Sequence, residues 1–134
     1  MDISLLAPYS SAIATLGVVT LIMLVQLLIA DVTGIAKRHV PGGFVKPDHS
    51  EILFRTTRVV ANTNESIAIF LCALLFCIFS SANPDYTAYC AWAYAITRLL
   101  YAICYYANIA TARSIVFGLS LLTLIAMLLV GTFS

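Results

Sequence analysis

The chain has 134 residues, of which 62% are hydrophobic and only 10% are charged. Because a soluble domain carries about a quarter charged residues, this composition excludes an ordinary soluble fold and predicts an integral membrane protein. The net charge of +1 gives no electrostatic basis for binding nucleic acid.

Four segments are long and apolar enough to be transmembrane helices, each of which needs about 20 predominantly apolar residues. In chain order they cover about residues 7–30, 49–81, 86–107 and 114–133. The first and the last are uncharged, the second has a polar amino-terminal third, and the third contains Arg98. We expect the first span to be retained, because no basic residue precedes it and no small-residue cleavage site stands out.

The segments between the spans are short or rich in turn residues. Residues 31–48 form a polar loop with prolines and glycines, residues 80–85 form a tight turn in which Asn83-Pro84 stops one helix and starts the next, and the third link lies around residues 108–113. Short links imply antiparallel neighbours. The expected fold is therefore an all-α, up-and-down bundle of four transmembrane helices, formed by one domain over residues 1–134.

Basic residues near the spans predict the orientation in the membrane. They lie in the first loop, at the entry to the second span and in the third link, and they are Lys37, Arg38, Lys46, Arg55, Arg58 and Arg113. The opposite side carries Asp2 and Asp85. We therefore expect both termini to face away from the cytoplasm and the first loop to face it.

Four polar residues lie on one face of the second span: Arg55, Arg58, Asn62 and Glu65. At about 100° per residue their spacing places them within an arc of about 80°. A charge at bilayer depth costs about 2.5–3.5 kcal/mol on insertion scales. We therefore expect these side chains to pair with each other, to line a wet cavity or to hold a polar ligand.

The third span has a polar face of its own, on which Tyr94, Arg98, Tyr101 and Tyr105 follow each other at helical spacing. A tyrosine at bilayer depth supplies a hydroxyl group and an apolar ring together. Packing and an aromatic belt are the alternative explanation, but Tyr101 and Tyr105 share their face with an arginine. Arg113, at the start of the fourth span, is either a membrane anchor or a third basic residue of the same site.

The polar faces of the second and third spans, together with Arg113, carry more positive than negative charge. Such a set suits a small anionic ligand that also has an ammonium group, with Glu65 binding the ammonium and the arginines binding carboxylates. An arginine beside a thiol would favour the thiolate. The four cysteines lie in apolar segments without metal-ligand spacing, so we expect buried thiols and no metal site.

The pattern Arg55-x-x-Arg58-x-x-x-Asn62-x-x-Glu65, followed by Arg98-x-x-Tyr101-x-x-x-Tyr105 and Arg113-Ser114, resembles the signatures of the MAPEG family. These are membrane-associated proteins in eicosanoid and glutathione metabolism. The resemblance covers essentially the whole chain and implies a homotrimer of four-helix protomers. It also implies that glutathione binds between neighbouring protomers near the cytoplasmic side, so that a second protomer completes the pocket.

Residue by residue, the resemblance implies that Arg58, Asn62, Glu65, Tyr101 and Tyr105 bind glutathione. Arg113 would stabilise the thiolate with Ser114 beside it, and these two are the expected catalytic residues. Arg98 would be a buried structural or pocket residue. The supporting candidates are Lys37 or Arg38, for a basic residue that some members use late in the first span, and Arg55, which pairs with a neighbour or a lipid phosphate.

Ala61 and Val60 depart from the prostaglandin E synthase-type members, and Tyr101 resembles the leukotriene C4 synthase and microsomal glutathione transferase types. The resemblance therefore implies a bacterial-type glutathione transferase that conjugates glutathione to lipophilic electrophiles, with lipid hydroperoxide reduction as a related activity. The alternative is a non-catalytic protein that binds a lipid and presents it to a partner. A small multidrug transporter is disfavoured, because it needs a carboxylate in its first span and the predicted first span has none.

Overall fold

Four α-helices make up most of the computed structural model, which describes residues 3–133. They are α1 (Ser10–Ala36), α2 (Ile52–Phe79), α3 (Pro84–Tyr106) and α4 (Ala110–Phe133), preceded by two short 3-10 turns at Ile3–Leu5 and Ala7–Tyr9. Asp2, which the sequence placed on the side opposite the basic loop, lies outside the described residues, as do both ends of the predicted domain.

Helix α1 is longer than predicted, because it continues six residues beyond Ala30. The segment that follows Ala30 contains no proline, and the Thr33 hydroxyl donates to the Ile29 carbonyl within the helix. The helix ends at Ala36, where Arg38 takes a left-handed backbone with φ 53°. Asp31, which the sequence placed in the first loop, therefore lies in α1 with an exposed side chain, one residue beyond the predicted span.

The α2–α3 connection uses the predicted Asn-Pro turn. The Asn83 side chain accepts hydrogen bonds from the backbone N–H groups of Asp85 and Tyr86 at 3.0 and 3.1 Å, which caps the first turn of α3. Pro84 occupies the first helical position, where its missing N–H has no cost. Helix α3 therefore begins two residues earlier than predicted, and α4 begins four residues earlier, after a left-handed turn at Asn108.

Three of the described helical segments are long and apolar enough to cross a membrane: Ala7–Ala36, Ile52–Phe79 and Ala110–Phe133. They support an integral membrane protein. Helix α3 has a suitable length, 23 residues, but tyrosines, threonines and Arg98 make it less apolar, so the third predicted span does not stand out by composition. Its polar residues Tyr94 and Arg98 are buried against the other helices, whereas Ile96, Leu99 and Ile103 are exposed.

The buried side chains form two clusters at different levels of the bundle. The larger one lies towards the α2–α3 turn and includes the stacked rings of Phe70 and Tyr94, whose centroids are 4.4 Å apart. The smaller one comprises Val59, Tyr101, Ala102 and Tyr105, with Phe117 and two neighbours packed against it. Arg98 lies between Tyr94 and Tyr101 along α3, so polar residues separate the apolar core from the candidate site.

Candidate functional site

One cleft, of about 400 Å³, brings together the predicted glutathione-binding and catalytic residues. Its lining comes from α2, α3 and α4 and consists of Arg58, Asn62, Glu65, Tyr101, Tyr105, Arg113, Ser114 and Phe117. Three polar residues of α2 therefore meet two tyrosines of α3 and Arg113 of α4 within a single chain. Their role in binding glutathione stays a prediction.

The α2 side of the cleft carries one loose ion pair. Arg58 Nη1 lies 3.9 Å from Glu65 Oε1, and the two side chains are 42% and 60% exposed. Asn62 Nδ2 lies 3.5 Å from Glu65 Oε2, at the outer limit for a hydrogen bond. These long distances leave the guanidinium of Arg58 and the carboxylate of Glu65 accessible to a ligand.

Arg98 is buried behind the cleft residues and does not itself line the cleft. It is fully buried, and its Nη2 donates to Asn62 Oδ1 at 2.7 Å and to Thr63 Oγ1 at 3.2 Å. Its Nη1 donates to Ser120 Oγ at 3.4 Å. Among residues 3–133, no carboxylate lies within ion-pairing distance of Arg98, so neutral oxygens of α2 and α4 bind its two terminal nitrogens, while its buried Nε has no hydrogen-bond partner there. The structure thus favours the structural role for Arg98.

Two arginines lie against tyrosine rings on the α3 side. The guanidinium carbon of Arg113 is 4.6 Å from the centroid of Tyr105, and that of Arg98 is 4.6 Å from the centroid of Tyr101. The two tyrosine rings are themselves 5.4 Å apart. Within the described part of the chain, Arg113 Nη1 is buried and has no hydrogen-bond partner. Arg113 lines the cleft, so its guanidinium adds positive charge to a site that can bind an anion.

Ser114 follows Arg113 at the mouth of the cleft. Its hydroxyl donates to the Ala110 carbonyl at 3.1 Å, so its oxygen still has capacity to accept a hydrogen bond. Phe117 lies one turn further along α4 and packs against Tyr101, with ring centroids 6.0 Å apart. Sequence reasoning did not identify Phe117, although its position three residues after Ser114 puts it on the same helix face.

The three remaining candidates lie outside the cleft. Arg55 Nη1 donates to the carbonyls of His49 and Ser50 at 2.7 and 2.9 Å, because α2 begins only three residues before it and the loop backbone is within reach. Lys37 pairs with Glu51 at 3.6 Å. Arg38 is exposed after the end of α1. Of the four polar residues on this face of α2, Arg58, Asn62 and Glu65 line the cleft and Arg55 does not.

His49 is a neighbour of the cleft that sequence reasoning missed. Its Nε2 lies 3.0 Å from the Tyr105 hydroxyl, and its ring meets the edge of Phe54 at a centroid distance of 4.9 Å. The sequence does show a histidine six residues before Arg55, at the boundary between a polar loop and a membrane helix. The sequence does not show that this loop folds back to the end of α3.

A second and larger cavity, of about 520 Å³, lies between the end of α1, the following loop and the start of α2. Its polar side chains are Asp31, His39 and Thr57. It holds none of the sequence-predicted residues and no arginine. The smaller cleft therefore has the charge and the convergent donors expected of a site for an anionic ligand, and the larger cavity does not.

The lining of the cleft suits the binding of a charged ligand. Its two arginines and one carboxylate can bind an anionic ligand that also has an ammonium group. In the chain from residue 3 to residue 133, no three His, Cys, Asp or Glu side chains are grouped so that they could hold a metal ion.

No curated protein and no solved structure matches the chain significantly. The model of the MAPEG family, by contrast, matches residues 11–133, which include all four helices and the whole cleft. The chain therefore belongs to the MAPEG family.

Proposed function

We propose that the chain is a glutathione-dependent membrane transferase, of the microsomal glutathione transferase and leukotriene C4 synthase-like type, that conjugates glutathione to lipophilic electrophiles. The observation that carries this proposal is the single cleft in which Arg58, Glu65 and Arg113 converge with two tyrosines. Family membership fits a glutathione-related function in the membrane.

Each charged group of the cleft has a partner in glutathione. Glu65 would bind the ammonium group of the γ-glutamyl residue, and Arg58 would bind a carboxylate. Tyr101 and Tyr105 would supply hydroxyl donors and apolar walls. The guanidinium of Arg113, which lines the cleft beside Ser114, would hold the sulfur as a thiolate.

The reaction follows from a stabilised thiolate. The thiol proton leaves to solvent, the sulfur lone pair attacks an electrophilic carbon of the lipophile, and a carbon–sulfur bond forms as a leaving group departs with its electron pair. The same thiolate would support the reduction of a lipid hydroperoxide. In that reaction two glutathione molecules yield one disulfide, while the hydroperoxide becomes an alcohol and water.

The exposed charge on α2 supports an oligomer in which a neighbouring protomer covers the open side of the cleft, and we propose the homotrimer that the family resemblance implies. The Glu65 side chain is 60% exposed in the single chain, and a charge facing lipid costs about 2.5–3.5 kcal/mol. Contact with a second copy would remove that cost. In the membrane we propose an up-and-down arrangement with the cleft towards the cytoplasm, since the basic residues Lys37, Arg38 and Arg113 lie at that end.

The test is glutathione binding and turnover by the purified protein in detergent. We expect calorimetry to detect binding of glutathione, and conjugation of a chloronitrobenzene to proceed at a rate that Arg113→Ala reduces. Lys46→Ala is the control, because Lys46 is an exposed basic residue outside the cleft and is not a candidate for glutathione binding, and it should leave the rate unchanged. A wild-type protein that neither binds glutathione nor conjugates it would overturn the proposal.

A non-catalytic lipid-binding role is the second candidate. A groove of about 460 Å³ between α3 and α4 has an almost entirely apolar lining, which includes Cys90, Ala93, Thr97, Leu122 and Ala126. Such a groove can hold an acyl chain. This role predicts lipid binding without glutathione-dependent turnover, whereas loss of turnover in Glu65→Ala would contradict it.

A further inference from the structure

His49 connects the loop between α1 and α2 to the cleft. Its Nε2 and the Tyr105 hydroxyl share a hydrogen bond of 3.0 Å, in which either atom can be the donor. The imidazole lies at an angle of 33° to the Tyr105 ring, with centroids 5.8 Å apart. Tyr105 is 6% exposed, so the hydroxyl of a nearly buried cleft residue is bound by a residue from the loop.

The backbone of His49 is held in place by its neighbours. Arg55 Nη1 donates to the His49 and Ser50 carbonyls, and the Ser50 N–H and hydroxyl donate to Asp48 Oδ1 at 2.9 and 2.7 Å. The Phe54 ring packs edge-on against the imidazole. Because the backbone and the ring are both restrained, the imidazole meets Tyr105 at low entropic cost.

The contact extends from Tyr105 to Arg113. The Tyr105 ring lies under the Arg113 guanidinium at 4.6 Å. A hydrogen bond to the phenol oxygen restricts the side-chain torsions of Tyr105, so it also fixes the ring face on which the guanidinium rests. In this way the loop, α3 and α4 are linked through two consecutive side-chain contacts.

We propose that His49 is a positioning residue, which holds Tyr105 and thereby Arg113 in the geometry that stabilises the glutathione thiolate. This inference rests on the proposed function. His49 does not line the cleft, so it acts through Tyr105 and not on the substrate. Arg55 then has a supporting role, because it holds the backbone from which the imidazole of His49 projects.

The hydrogen bond can be tested without glutathione. The chain contains two histidines, His39 and His49, so protein labelled with ¹⁵N-histidine gives two sets of ring-nitrogen signals. Tyr105→Phe removes the hydroxyl and leaves the ring. We expect it to shift the Nε2 signal of His49 and to leave that of His39 in place as an internal control. An unmoved His49 signal would overturn the inference.

The functional arm compares two substitutions of the same residue. His49→Phe keeps an aromatic ring against Phe54 but removes the nitrogen, whereas His49→Gln places an amide nitrogen near the position of Nε2. We expect His49→Phe to lower kcat at saturating glutathione by about three- to tenfold, as for the loss of one net hydrogen bond. His49→Gln should recover most of that loss, and His39→Ala should leave kcat unchanged.

Two further readouts separate positioning from a general loss of structure. The ultraviolet absorbance of the bound thiolate should fall in His49→Phe in parallel with kcat. In the double variant His49→Phe/Tyr105→Phe, the Tyr105→Phe substitution should lower kcat by a smaller factor than it does in the wild-type background, because the His49–Tyr105 contact is already absent. A wild-type protein that binds no glutathione overturns the proposed function and this inference with it. Wild-type turnover that His49→Phe leaves unchanged overturns this inference alone.

Discussion

The guanidinium of Arg98 donates a 2.7 Å hydrogen bond to the side-chain oxygen of Asn62. This contact orients the Asn62 amide, because an oxygen bound to Arg98 leaves the amide nitrogen on the side of Glu65, 3.5 Å from its carboxylate. Arg98 itself does not line the cleft. The fully buried guanidinium of Arg98 thus determines how the Asn62 amide is oriented. Through this amide Arg98 is connected to Glu65, which lines the cleft.

Asn62→Leu tests this coupling. The substitution leaves Arg98 Nη2 with only the Thr63 hydroxyl as a partner, and an unsatisfied buried donor costs about 1–3 kcal/mol, more when it is charged. We expect the free energy of unfolding in mild detergent to fall by at least that amount. Asn64→Leu is the matched control, because Asn64 is exposed two residues further along α2. Equal stability of the two variants would contradict the account of Arg98.

Gly131→Ala tests the packing of α2 against α4. A Cβ at this position would lie 2.6 and 2.7 Å from two ring atoms of Phe76 and 3.3 Å from Cys77 Sγ, so the ring must move. Overpacking of this kind costs about 1–3 kcal/mol. Gly118→Ala, also on α4, meets nothing within 4 Å. We expect Gly131→Ala to lower the thermal midpoint and Gly118→Ala to leave it unchanged or raise it.

The turn before α2 depends on the charge of Asp48. Hydrogen bonds from the Ser50 hydroxyl and N–H lower the pKa of the Asp48 carboxyl below its ordinary value. A depressed carboxyl pKa stabilises the folded turn above the unfolded pKa, and this contribution is lost as the pH falls through the folded pKa. We therefore expect the Ser50 amide to be protected from hydrogen exchange, relative to its intrinsic rate at each pH, throughout the neutral range, and to lose this protection as the pH falls through the lowered pKa of Asp48. Asp48→Ala should remove the protection at neutral pH as well.

Sequence reasoning predicted the helical membrane fold because apolar runs and turn residues are local signals. The Asn83-Pro84 turn is one such case, since both residues act within their own helix end. The end of α1 was predicted too early, because residues 31–48 were assigned as a whole to the polar loop. Asp31 lies in α1 with an exposed side chain, so a charged residue alone does not end a helix.

The polar faces of α2 and α3 were also visible in the sequence, because residues at helical spacing share a face. What the sequence could not supply is the direction of each side chain. By its spacing Arg55 lies on the polar face of α2, yet its side chain donates a hydrogen bond to the His49 carbonyl. His49 is equally hidden, because the path of the loop brings it to a tyrosine 56 residues further along the chain.

Glu65 provides the sharpest test of ligand recognition. If its carboxylate binds the ammonium of glutathione, the wild-type protein should bind glutathione more tightly than an analogue whose γ-glutamyl amino group is replaced by hydrogen. A half-exposed ion pair contributes up to about 1 kcal/mol, so the expected preference is up to about fivefold. Glu65→Gln should remove this preference by weakening the binding of glutathione and not that of the analogue. Glu51→Gln is the control, because Glu51 pairs with Lys37 outside the cleft, and it should retain the preference. Calorimetry on the three proteins measures both ligands, and equal affinities of the wild type for the two would remove Glu65 from the recognition of the ammonium group.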